Sequence, residues 1–482
     1  MTPATLWSIL SLLSTVGALA AIEHMLRTRR EPRGMMAWIL ALLFLPGVGL
    51  VLYLLIGSVP VQRKVRKRTR RRRAIADSLA HRAHILAEGH DALRSLELDA
   101  AQRSLLRLAT RVGESVVTRG NDVTIYHDAE NVFLAMSLAI QEAVHHVHLE
   151  YYIFAPDETG QAMRDLLIRK AKEGVEVRLL IDAVGSWWMS RSFIAPMREA
   201  GIKVAWFLPW GVSSRRLSLN FRNHRKIVVI DGRVGFTGSQ NVGDEYLGRK
   251  KKFGPWRDTH LRLLGPSVAQ LQEVFAEDWH FATGEPVVAA DYFPEPRAVG
   301  QMAVQIVPSG PDRRPNGLHQ LLLGAVADAT NFVSFLTPYF VPDQAMMLIM
   351  QTASLRGVRV RLLVPSKSDH RLILWAGRAS YDDLLDAGVE IYEYEHALLH
   401  SKVVVVDGRW AMVGSANMDE RSFRINFEVT TMLYDADSAH QLQADFDQLQ
   451  ANARRITRAD VAAWSYGDRL TAGLARLATP ML

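Results

Sequence analysis

The sequence predicts an α/β protein with two similar lobes in a pseudo-twofold arrangement, preceded by an N-terminal membrane-anchoring α-helical segment. Three observations lead to this prediction: the length of the chain, an internal duplication, and an uncharged apolar stretch at its start. A chain of 482 residues is too long for one compact core, so two or more domains are expected. Apolar residues make up 49% of the chain and charged residues 22%, a composition that does not indicate extended disorder.

The charge of the chain is unevenly distributed. The formal net charge is +7, but residues 1–73 contain 13 Lys and Arg against two Glu, a balance of +11 that leaves −4 for the remainder. Because nucleic-acid binding depends on neutralising phosphates, a body of this charge argues against a nucleic-acid partner. Cysteine is absent, which excludes disulfides, a thiolate nucleophile and a Cys-ligated metal centre.

Residues 1–62 are predicted to anchor the protein in a membrane. Residues 2–22 carry no charge and are about long enough to cross a bilayer core. Residues 35–57 are also strongly apolar, but Pro46-Gly47 divides them, so this run is either a second span or a re-entrant hairpin. A cleaved signal peptide is the alternative for the first run, and the second apolar run that follows it argues against that alternative.

Basic residues flank both apolar runs. Four Arg lie within 27–33, and nine of the eleven residues in 63–73 are Lys or Arg. The richer flank is expected in the cytoplasm, next to anionic lipid head groups; a nucleic-acid patch is the alternative interpretation of this run. Residues 63–110 are therefore predicted to form a basic and helical linker to a cytoplasmic body.

The body is predicted to contain two copies of one unit, at residues 111–290 and 291–482. The sequence GVEVRLLI at 174–181 recurs as GVRVRLLV at 357–364, and HRKIVVIDGRVGFTGSQN at 224–241 recurs as HSKVVVVDGRWAMVGSAN at 400–417. Short apolar runs that alternate with helical patterns indicate buried strands in an α/β layered fold. Pseudo-twofold pairing of the copies brings the same strand end of each to one cleft.

Both copies match the pattern H-x-K-x4-D-x6-G-S-x-N. Alternate residues of a strand point to the same face, so the His and Lys of each copy are expected to project together. Two such pairs form a pocket of ammonium, hydroxyl and amide groups that suits a phosphodiester. The residues of the pattern are His224, Lys226, Asp231, Ser239 and Asn241 in the first copy and His400, Lys402, Asp407, Ser415 and Asn417 in the second.

The carboxylates near this pattern have two interpretations each. Asp231 and Asp407 belong to the predicted catalytic set, yet each precedes a Gly between two apolar runs, which equally predicts a hairpin turn. Asp258 and Glu428 lie at matching places downstream. They are predicted to accept the N–H of an imidazole and so fix its tautomer; a surface carboxylate at a strand end is the alternative.

The duplicated pattern resembles the HKD signature of the phospholipase D superfamily over roughly residues 110–450. Within that superfamily the chain is most similar to the bacterial cardiolipin synthases, through TPYFVPD at 337–343, WRDTHLRLLGP at 256–266 and SANMDERSFRINFEV at 415–429. The resemblance implies two phospholipase D-like lobes and an enzyme of the bacterial inner membrane. It also implies transfer of a phosphatidyl group from one phosphatidylglycerol to another, giving cardiolipin and glycerol. Water or another alcohol as acceptor, as in a phospholipase D, is the alternative.

The resemblance further implies a phosphohistidine intermediate, with His224 as nucleophile and His400 as general acid and base. The sequence does not distinguish the two histidines, so the exchange of roles stays open. The HKD mechanism needs no cofactor and no metal, and His145, His146 and His148 lack the carboxylate spacing of a metal site. Lys367, Asp369 and His370 form a further polar cluster on a predicted loop after a strand, where the sites of α/β proteins gather.

Overall fold

The computed structural model describes residues 2–27, 32–54, 99–208, 221–250, 254–314 and 316–477. The chain divides into two compact units, one formed by residues 1–67 with 209–221 and the other by residues 68–208 with 222–482. The basic run 63–73 and most of the predicted linker lie outside the described residues.

The first unit is helical and apolar. Its described helices are α1 (Pro3–Arg27), α2 (Pro32–Phe44) and α3 (Pro46–Leu52). Within α1, residues Thr5–Arg27 are long and apolar enough to cross a membrane, whereas Gly34–Phe44 is apolar but shorter. The second apolar run bends at Leu45, because the Pro46 that follows begins a new helix. Met25, Leu42 and Tyr53 form a small buried contact among these helices.

The second unit contains the two predicted α/β lobes, so the fold class predicted from the sequence is confirmed. The elements up to residue 300 are α4 (Ala100–Gly113), β1 (Thr118–Tyr126), α5 (Ala129–Gln141), β2 (His146–Tyr151), α6 (Glu158–Lys172), β3 (Glu176–Asp182), α7 (Arg191–Glu199), β4 (Lys203–Phe207), β5 (Ile227–Ile230), β6 (Val234–Gly238), β7 (Trp256–Arg257), β8 (His260–Leu264) and α8 (Ser267–Thr283). The second lobe contains β9 (Met302–Ser309), α9 (Gly317–Asp328), β10 (Phe332–Leu336), β11 (Phe340–Val341), α10 (Gln344–Leu355), β12 (Arg359–Pro365), α11 (Arg371–Arg378), α12 (Tyr381–Asp386), β13 (Glu390–Tyr394), β14 (Leu398–Leu399), β15 (Val403–Val406), β16 (Trp410–Gly414), β17 (Met418–Asp419), α13 (Glu420–Arg424), β18 (Glu428–Leu433), α14 (Ala436–Ala451), β19 (Arg454–Ile456), α15 (Arg458–Ala462) and α16 (Tyr466–Leu477).

One mixed sheet runs through both lobes. Its order is β19-β13-β12-β10-β15-β16-β18-β9-β1-β8-β6-β5-β2-β3-β4. Strands β1 and β9 are neighbours at the centre of the sheet. From β1 towards one edge the order is β8-β6-β5-β2-β3-β4, and from β9 towards the other edge it is the equivalent series β18-β16-β15-β10-β12-β13. This is the order that a pseudo-twofold axis between β1 and β9 requires. In each lobe three parallel strands, β2-β3-β4 or β10-β12-β13, lie next to the antiparallel strand that follows the H-x-K residues.

The central strands are apolar along their whole length because both of their faces are covered. All four residues of β5 and all four of β15 are buried, as expected for strands between two helical layers. Strands β5 and β15 are the elements that follow His224 and His400, so a rigid and buried strand fixes the position of each histidine segment.

Helix α4 belongs to the core of the second lobe. Asp99 caps its N-terminus, and Leu105 and Leu106 pack into one buried cluster with Leu318 and Leu321 of α9. The sequence analysis placed residues up to 110 in the linker. The difference arises because the amphipathic face of α4 finds its apolar partner some 200 residues later in the chain, a contact that a local pattern does not contain.

Candidate active site

Two short connections between the lobes bring each histidine to a carboxylate of the opposite lobe. The backbone N–H of His224 donates to the carbonyl of Phe427 at 2.9 Å, and that of His400 donates to the carbonyl of Arg257 at 2.7 Å. Glu428 directly follows Phe427, and Asp258 directly follows Arg257. The two histidine segments are therefore crossed, each hydrogen-bonded to the residue that precedes the acidic residue of the other lobe.

The imidazoles are oriented by these crossed carboxylates. The Nδ1 atom of His224 lies 3.0 Å from Oε2 of Glu428, and Nδ1 of His400 lies 3.2 Å from both oxygens of Asp258. Since an ionised carboxylate only accepts hydrogen bonds, Nδ1 carries the proton in each ring and Nε2 keeps its lone pair. The pattern is that of a ring positioned for nucleophilic or acid–base chemistry.

Burial keeps both rings neutral at pH 7. It lowers the pKa of His224 to about 4, although Glu428 opposes the shift. Burial and the neighbouring Lys402 likewise lower the pKa of His400. Burial alone raises the pKa of Glu428, but the charge and hydrogen bond of His224 outweigh it, so this carboxyl stays ionised. The pKa of Asp258 is lowered in the same way against its burial, chiefly by His400.

The serines of the pattern hold the carboxylates. Ser239 Oγ donates to Asp258, and Ser415 Oγ donates to Glu428 Oε2 at 2.5 Å. Ser422 and Asn426 donate to the other oxygen of Glu428 at 3.0 and 3.2 Å. Of the two roles expected for these serines, binding of substrate or orientation of a neighbouring group, the contacts favour the second: each hydroxyl orients the carboxylate that contacts the histidine of the other lobe.

The two lysines lie beside the histidines of their own lobes. Lys226 Nζ donates to the carbonyl of His224 at 2.6 Å, and Lys402 Nζ lies 2.8 Å from the carbonyl and 3.2 Å from Nε2 of His400. Burial lowers the pKa of Lys226 to about 7 and that of Lys402 to about 8. Two desolvated ammonium groups at one place favour a bound anion, which restores the charged form of each.

The two asparagines of the pattern differ in their contacts: the side chain of Asn241 is hydrogen-bonded within its own lobe, whereas Oδ1 of Asn417 is buried and makes no hydrogen bond within the described residues. Asn241 accepts from the backbone N–H of Ile153 at 3.2 Å and donates to Tyr246 Oη at 2.8 Å. The backbone N–H of Asn417 donates to Ser422 Oγ at 3.1 Å. Through Asn241 the turn of the first copy positions Tyr246, whose ring lies 6.1 Å from that of His400.

Asp231 and Asp407 do not lie with the histidines. They occupy the turns at the far ends of β5 and β15, with φ of 52° and 53°, where Asp is tolerated in the left-handed region. Each carboxylate accepts three consecutive backbone N–H groups at 2.7–2.9 Å, from Val144, His145 and His146 for Asp231 and from Thr330, Asn331 and Phe332 for Asp407. Of the two interpretations, these contacts favour the turn over the catalytic one: each carboxylate fixes the start of the neighbouring strand.

Asp407→Ala is expected to lower stability and leave the chemistry intact. The variant loses four charge-assisted hydrogen bonds, three from backbone N–H groups and one from Thr330 Oγ1. This loss is expected to reduce the free energy of unfolding by about 1–3 kcal/mol, measured by denaturant titration of the detergent-solubilised protein. The kcat of the folded protein should stay unchanged. Asp407→Asn, which retains one amide oxygen as acceptor, is the matched control and should be less destabilised. A large fall in kcat at unchanged stability contradicts the scaffold role.

Aromatic side chains that the sequence analysis did not single out surround the histidines. The Tyr152 ring lies 5.1 Å from that of His224, and the Trp256 ring lies 5.1 Å from that of His400 and 4.7 Å from that of Tyr246. Tyr152 directly follows β2, and the carboxyl ends of parallel strands are where sites gather. Its position after a predicted buried strand could therefore have identified Tyr152 as a site residue from the sequence.

Arg225 is a second residue that sequence analysis missed. Its side chain is fully buried: it donates to Asp278 and, at 3.0 Å, to the carbonyls of Glu428 and Ser309. The residue between the His and Lys of the pattern points to the opposite face of the extended segment. A buried charge needs buried hydrogen-bond partners. Two of the partners of Arg225 are carbonyls of the second lobe, and one of these bonds fixes the backbone of Glu428.

Duplicated lobes with crossed His–carboxylate pairs and adjacent lysines define a phospholipase D-type fold and site. The family model described as "Cardiolipin synthase, PLD-like domain" matches residues 136–279 and 322–450, and the model "Phospholipase_D-nuclease N-terminal" matches residues 5–58. The chain belongs to the cardiolipin synthase family. Because the N-terminal family match coincides with an apolar helix long enough to cross a bilayer, the chain is associated with a membrane.

Curated relatives agree over nearly the whole chain. A cardiolipin synthase of Geobacillus kaustophilus is 41% identical, with 94% of this chain and 90% of the relative covered. One of Oceanobacillus iheyensis is 36% identical over 98% of this chain and 99% of the relative. Among solved structures, a phosphatidylserine synthase of Haemophilus influenzae matches 79% of this chain and 100% of its own, with a TM-score of 0.60 at 12% identity. At that identity the likeness shows the fold alone.

Proposed function

We propose that this phosphatidyltransferase joins two phosphatidylglycerol molecules into cardiolipin and glycerol through a phosphohistidine on His224, with His400 as general acid and base. The observation that carries the proposal is the pair of buried imidazoles, each oriented through Nδ1 by a carboxylate of the opposite lobe. A double displacement requires two imidazoles whose Nε2 atoms are free to act on one phosphodiester, and orientation of each ring through Nδ1 leaves Nε2 free.

In the first step, the lone pair on Nε2 of His224 attacks the phosphorus of the donor lipid. The bond from phosphorus to the glycerol oxygen breaks, and His400 gives that oxygen the proton from its own Nε2. Binding of the phosphodiester anion beside His400 favours the protonated ring that this step needs. Lys226 and Lys402 lie where negative charge develops on the phosphoryl oxygens and stabilise it.

In the second step, His400 accepts the proton of the incoming primary alcohol. The alcohol oxygen bonds to phosphorus, the bond between phosphorus and nitrogen breaks, and its electron pair returns to His224. With a second phosphatidylglycerol as the alcohol, the product is cardiolipin; with water it is phosphatidic acid. Tyr152, Tyr246 and Trp256 around the histidines support the transferase course, because apolar ring surface limits the access of water.

The test is to incubate the detergent-solubilised protein with phosphatidylglycerol alone, with and without chelator, and to analyse lipids and glycerol by mass spectrometry. Cardiolipin and glycerol in equal amounts, formed also in chelator, support the proposal. Phosphatidic acid without cardiolipin replaces it with a phospholipase D activity. If phosphatidylethanolamine is required for cardiolipin formation, the proposed pair of substrates is wrong.

Binding of phosphodiester anions is expected to depend on the two lysines between pH 6.5 and 9. A phosphonate analogue of phosphatidylglycerol keeps one negative charge over this range, so the protein alone sets the pH dependence. As the pH rises through about 7 and then about 8, Lys226 and then Lys402 lose their charges, and the Kd measured by calorimetry should rise. In Lys226→Arg the residue stays charged, and the step near pH 7 should disappear. Retention of that step contradicts its assignment to Lys226.

We further propose that the N-terminal unit anchors the protein in the bacterial plasma membrane by two spans or by a span and a hairpin, with the body in the cytoplasm next to anionic lipid. The basic run at 63–73 supports this orientation. The absence of native cysteine allows a sharp test with Glu395→Cys at an exposed position of the body. A membrane-impermeant maleimide should label this variant only after cells are lysed. Labelling in intact spheroplasts overturns the orientation. The net charge of the body supports the absence of a nucleic-acid partner.

A further inference from the structure

Two loops of the second lobe reach the same edge of the sheet as His400. Leu336, the last residue of β10, lies opposite Leu363 of the parallel strand β12 and opposite Val403 of the antiparallel strand β15. The carboxyl ends of β10 and β12 therefore meet the start of β15, which His400 and Lys402 directly precede. Tyr339 follows β10 by three residues, and Asp369 follows β12 by four.

Tyr339 is fixed to the G-S-x-N turn of its own lobe. Its carbonyl accepts the backbone N–H of Met418, the residue after Asn417, at 3.2 Å. The next two residues, Phe340 and Val341, pair with Met418 and Asp419 as parallel strands β11 and β17. The backbone that carries the phenol is thus hydrogen-bonded to the residues that follow the G-S-x-N turn.

The phenol of Tyr339 holds the carboxylate of Asp369. Its Oη lies 2.7 Å from Oδ1 and 2.9 Å from Oδ2, and Ser368 Oγ donates to Oδ1 at 3.2 Å. The side chain of Asp369 retains 24% of its exposure, so a ligand can reach it. Burial lowers the pKa of Lys402, and Asp369 is among the carboxylates that oppose this shift, so its charge acts within the histidine site.

Among the described residues of the first lobe, the position equivalent to Asp369 has no carboxylate. Leu180 corresponds to Leu363 in register, and six residues after it lies Ser186, where the second lobe has Asp369. Ser186 Oγ is used within the loop, donating to the carbonyl of Tyr152 and accepting from the N–H of Phe154, both at 3.0 Å. The nearby Asp182 is 2% exposed and accepts three backbone N–H groups. The accessible carboxylate therefore distinguishes the His400 side from the His224 side.

We propose that Asp369, held by Tyr339, binds the secondary hydroxyl of the glycerol head group on the acceptor lipid and so directs its primary hydroxyl to His400. A carboxylate accepts hydrogen bonds from a diol, and a charged acceptor makes these bonds stronger than a neutral one does. The inference rests on the proposed function, in which His400 deprotonates the incoming alcohol. The acceptor loses its primary hydroxyl proton to His400, its oxygen bonds to phosphorus, and the bond to His224 breaks; Asp369 forms no covalent bond.

The test compares two acceptors of the same chain length, 1,2-propanediol and 1-propanol, in competition for the phosphatidyl group of phosphatidylglycerol. Mass spectrometry gives the ratio of the two phosphatidyl alcohols, and phosphatidic acid gives the hydrolysis rate in the same sample. The native protein is expected to prefer the diol, and Asp369→Asn to reduce this preference about tenfold. The ratio compares two alcohols in one sample, so a change in the overall rate does not alter it. Tyr339→Phe should reduce the preference in part. Asp382→Asn, an exposed carboxylate of the same lobe, is the matched control and should keep the native ratio.

The outcomes separate the two proposals. If the native protein forms no phosphatidyl alcohol and no cardiolipin, the proposed function itself fails. If the native protein transfers to both alcohols and Asp369→Asn keeps the native preference, the acceptor role of Asp369 is overturned while the function stands. Equal loss of transfer to the diol and to 1-propanol in both variants, with unchanged unfolding curves, also overturns it, since a role in binding the secondary hydroxyl lowers transfer to the diol alone.

Discussion

His224→Ala is expected to abolish cardiolipin formation, with a fall in kcat of about 10⁴-fold or more, because the nucleophile of a covalent mechanism has no substitute in the site. His400→Ala should be equally inactive with phosphatidylglycerol, whose glycerol needs a proton to leave. His396→Ala, which removes an exposed histidine of the same lobe, is the control and should remain active.

A donor lipid with a p-nitrophenyl ester separates the two roles. Its leaving group departs without a proton, so His400→Ala is expected to release one equivalent of p-nitrophenolate in a burst. The variant should then retain the phosphatidyl group on His224, seen as a mass increase of the chain that acid removes. His224→Ala should give neither the burst nor the adduct. An adduct in His224→Ala and none in His400→Ala would show that the roles are exchanged.

Glu428→Gln and Asp258→Asn are expected to lower kcat with phosphatidylglycerol by about 10²–10⁴-fold while the fold is retained. In each variant the amide presents an N–H or a weaker acceptor to Nδ1, so the ring loses the tautomer that leaves Nε2 free. Both variants keep the side-chain volume. Unfolding curves measured in parallel check that the fold tolerates the change of acceptor for the buried hydroxyls of Ser415 and Ser239, which donate to these carboxylates.

The crossing of the carboxylates makes these two variants distinguishable. Glu428 serves His224 and Asp258 serves His400, although each lies in the other lobe. With the p-nitrophenyl donor, the Asp258→Asn variant should therefore release a burst of p-nitrophenolate, because its nucleophile His224 is still oriented. The Glu428→Gln variant should release no burst. If instead Glu428→Gln recovers, either the histidines have exchanged roles or the crossed pairs do not operate in catalysis, and the adduct experiment decides between these results.

The sequence alone determined the features that repeat or that follow a local period. The duplication of residues 224–241 at 400–417 predicted two equivalent lobes, because similar sequences fold alike and alternating apolar runs indicate buried strands. The uncharged stretch at 2–22 predicted the apolar helix. The spacing of His and Lys by two predicted that they serve one place, and Asp258 and Glu428 were identified as candidates to orient an imidazole from their matching positions.

Which carboxylate faces which histidine depends on the tertiary structure. His224 and Glu428 are 204 positions apart in the sequence. Their contact depends on the packing of the two lobes, which are joined by backbone hydrogen bonds at Phe427 and Arg257. No local sequence pattern encodes this packing. The same holds for Asp231 and Asp407. Their place in the repeated pattern suggested a catalytic role, but the strand that separates each of them from its histidine puts them at the other end of that strand. The spacing of apolar residues and the repeated motif describe segments of a few residues, whereas the site lies between two lobes. Its partners are therefore set by the packing of distant segments.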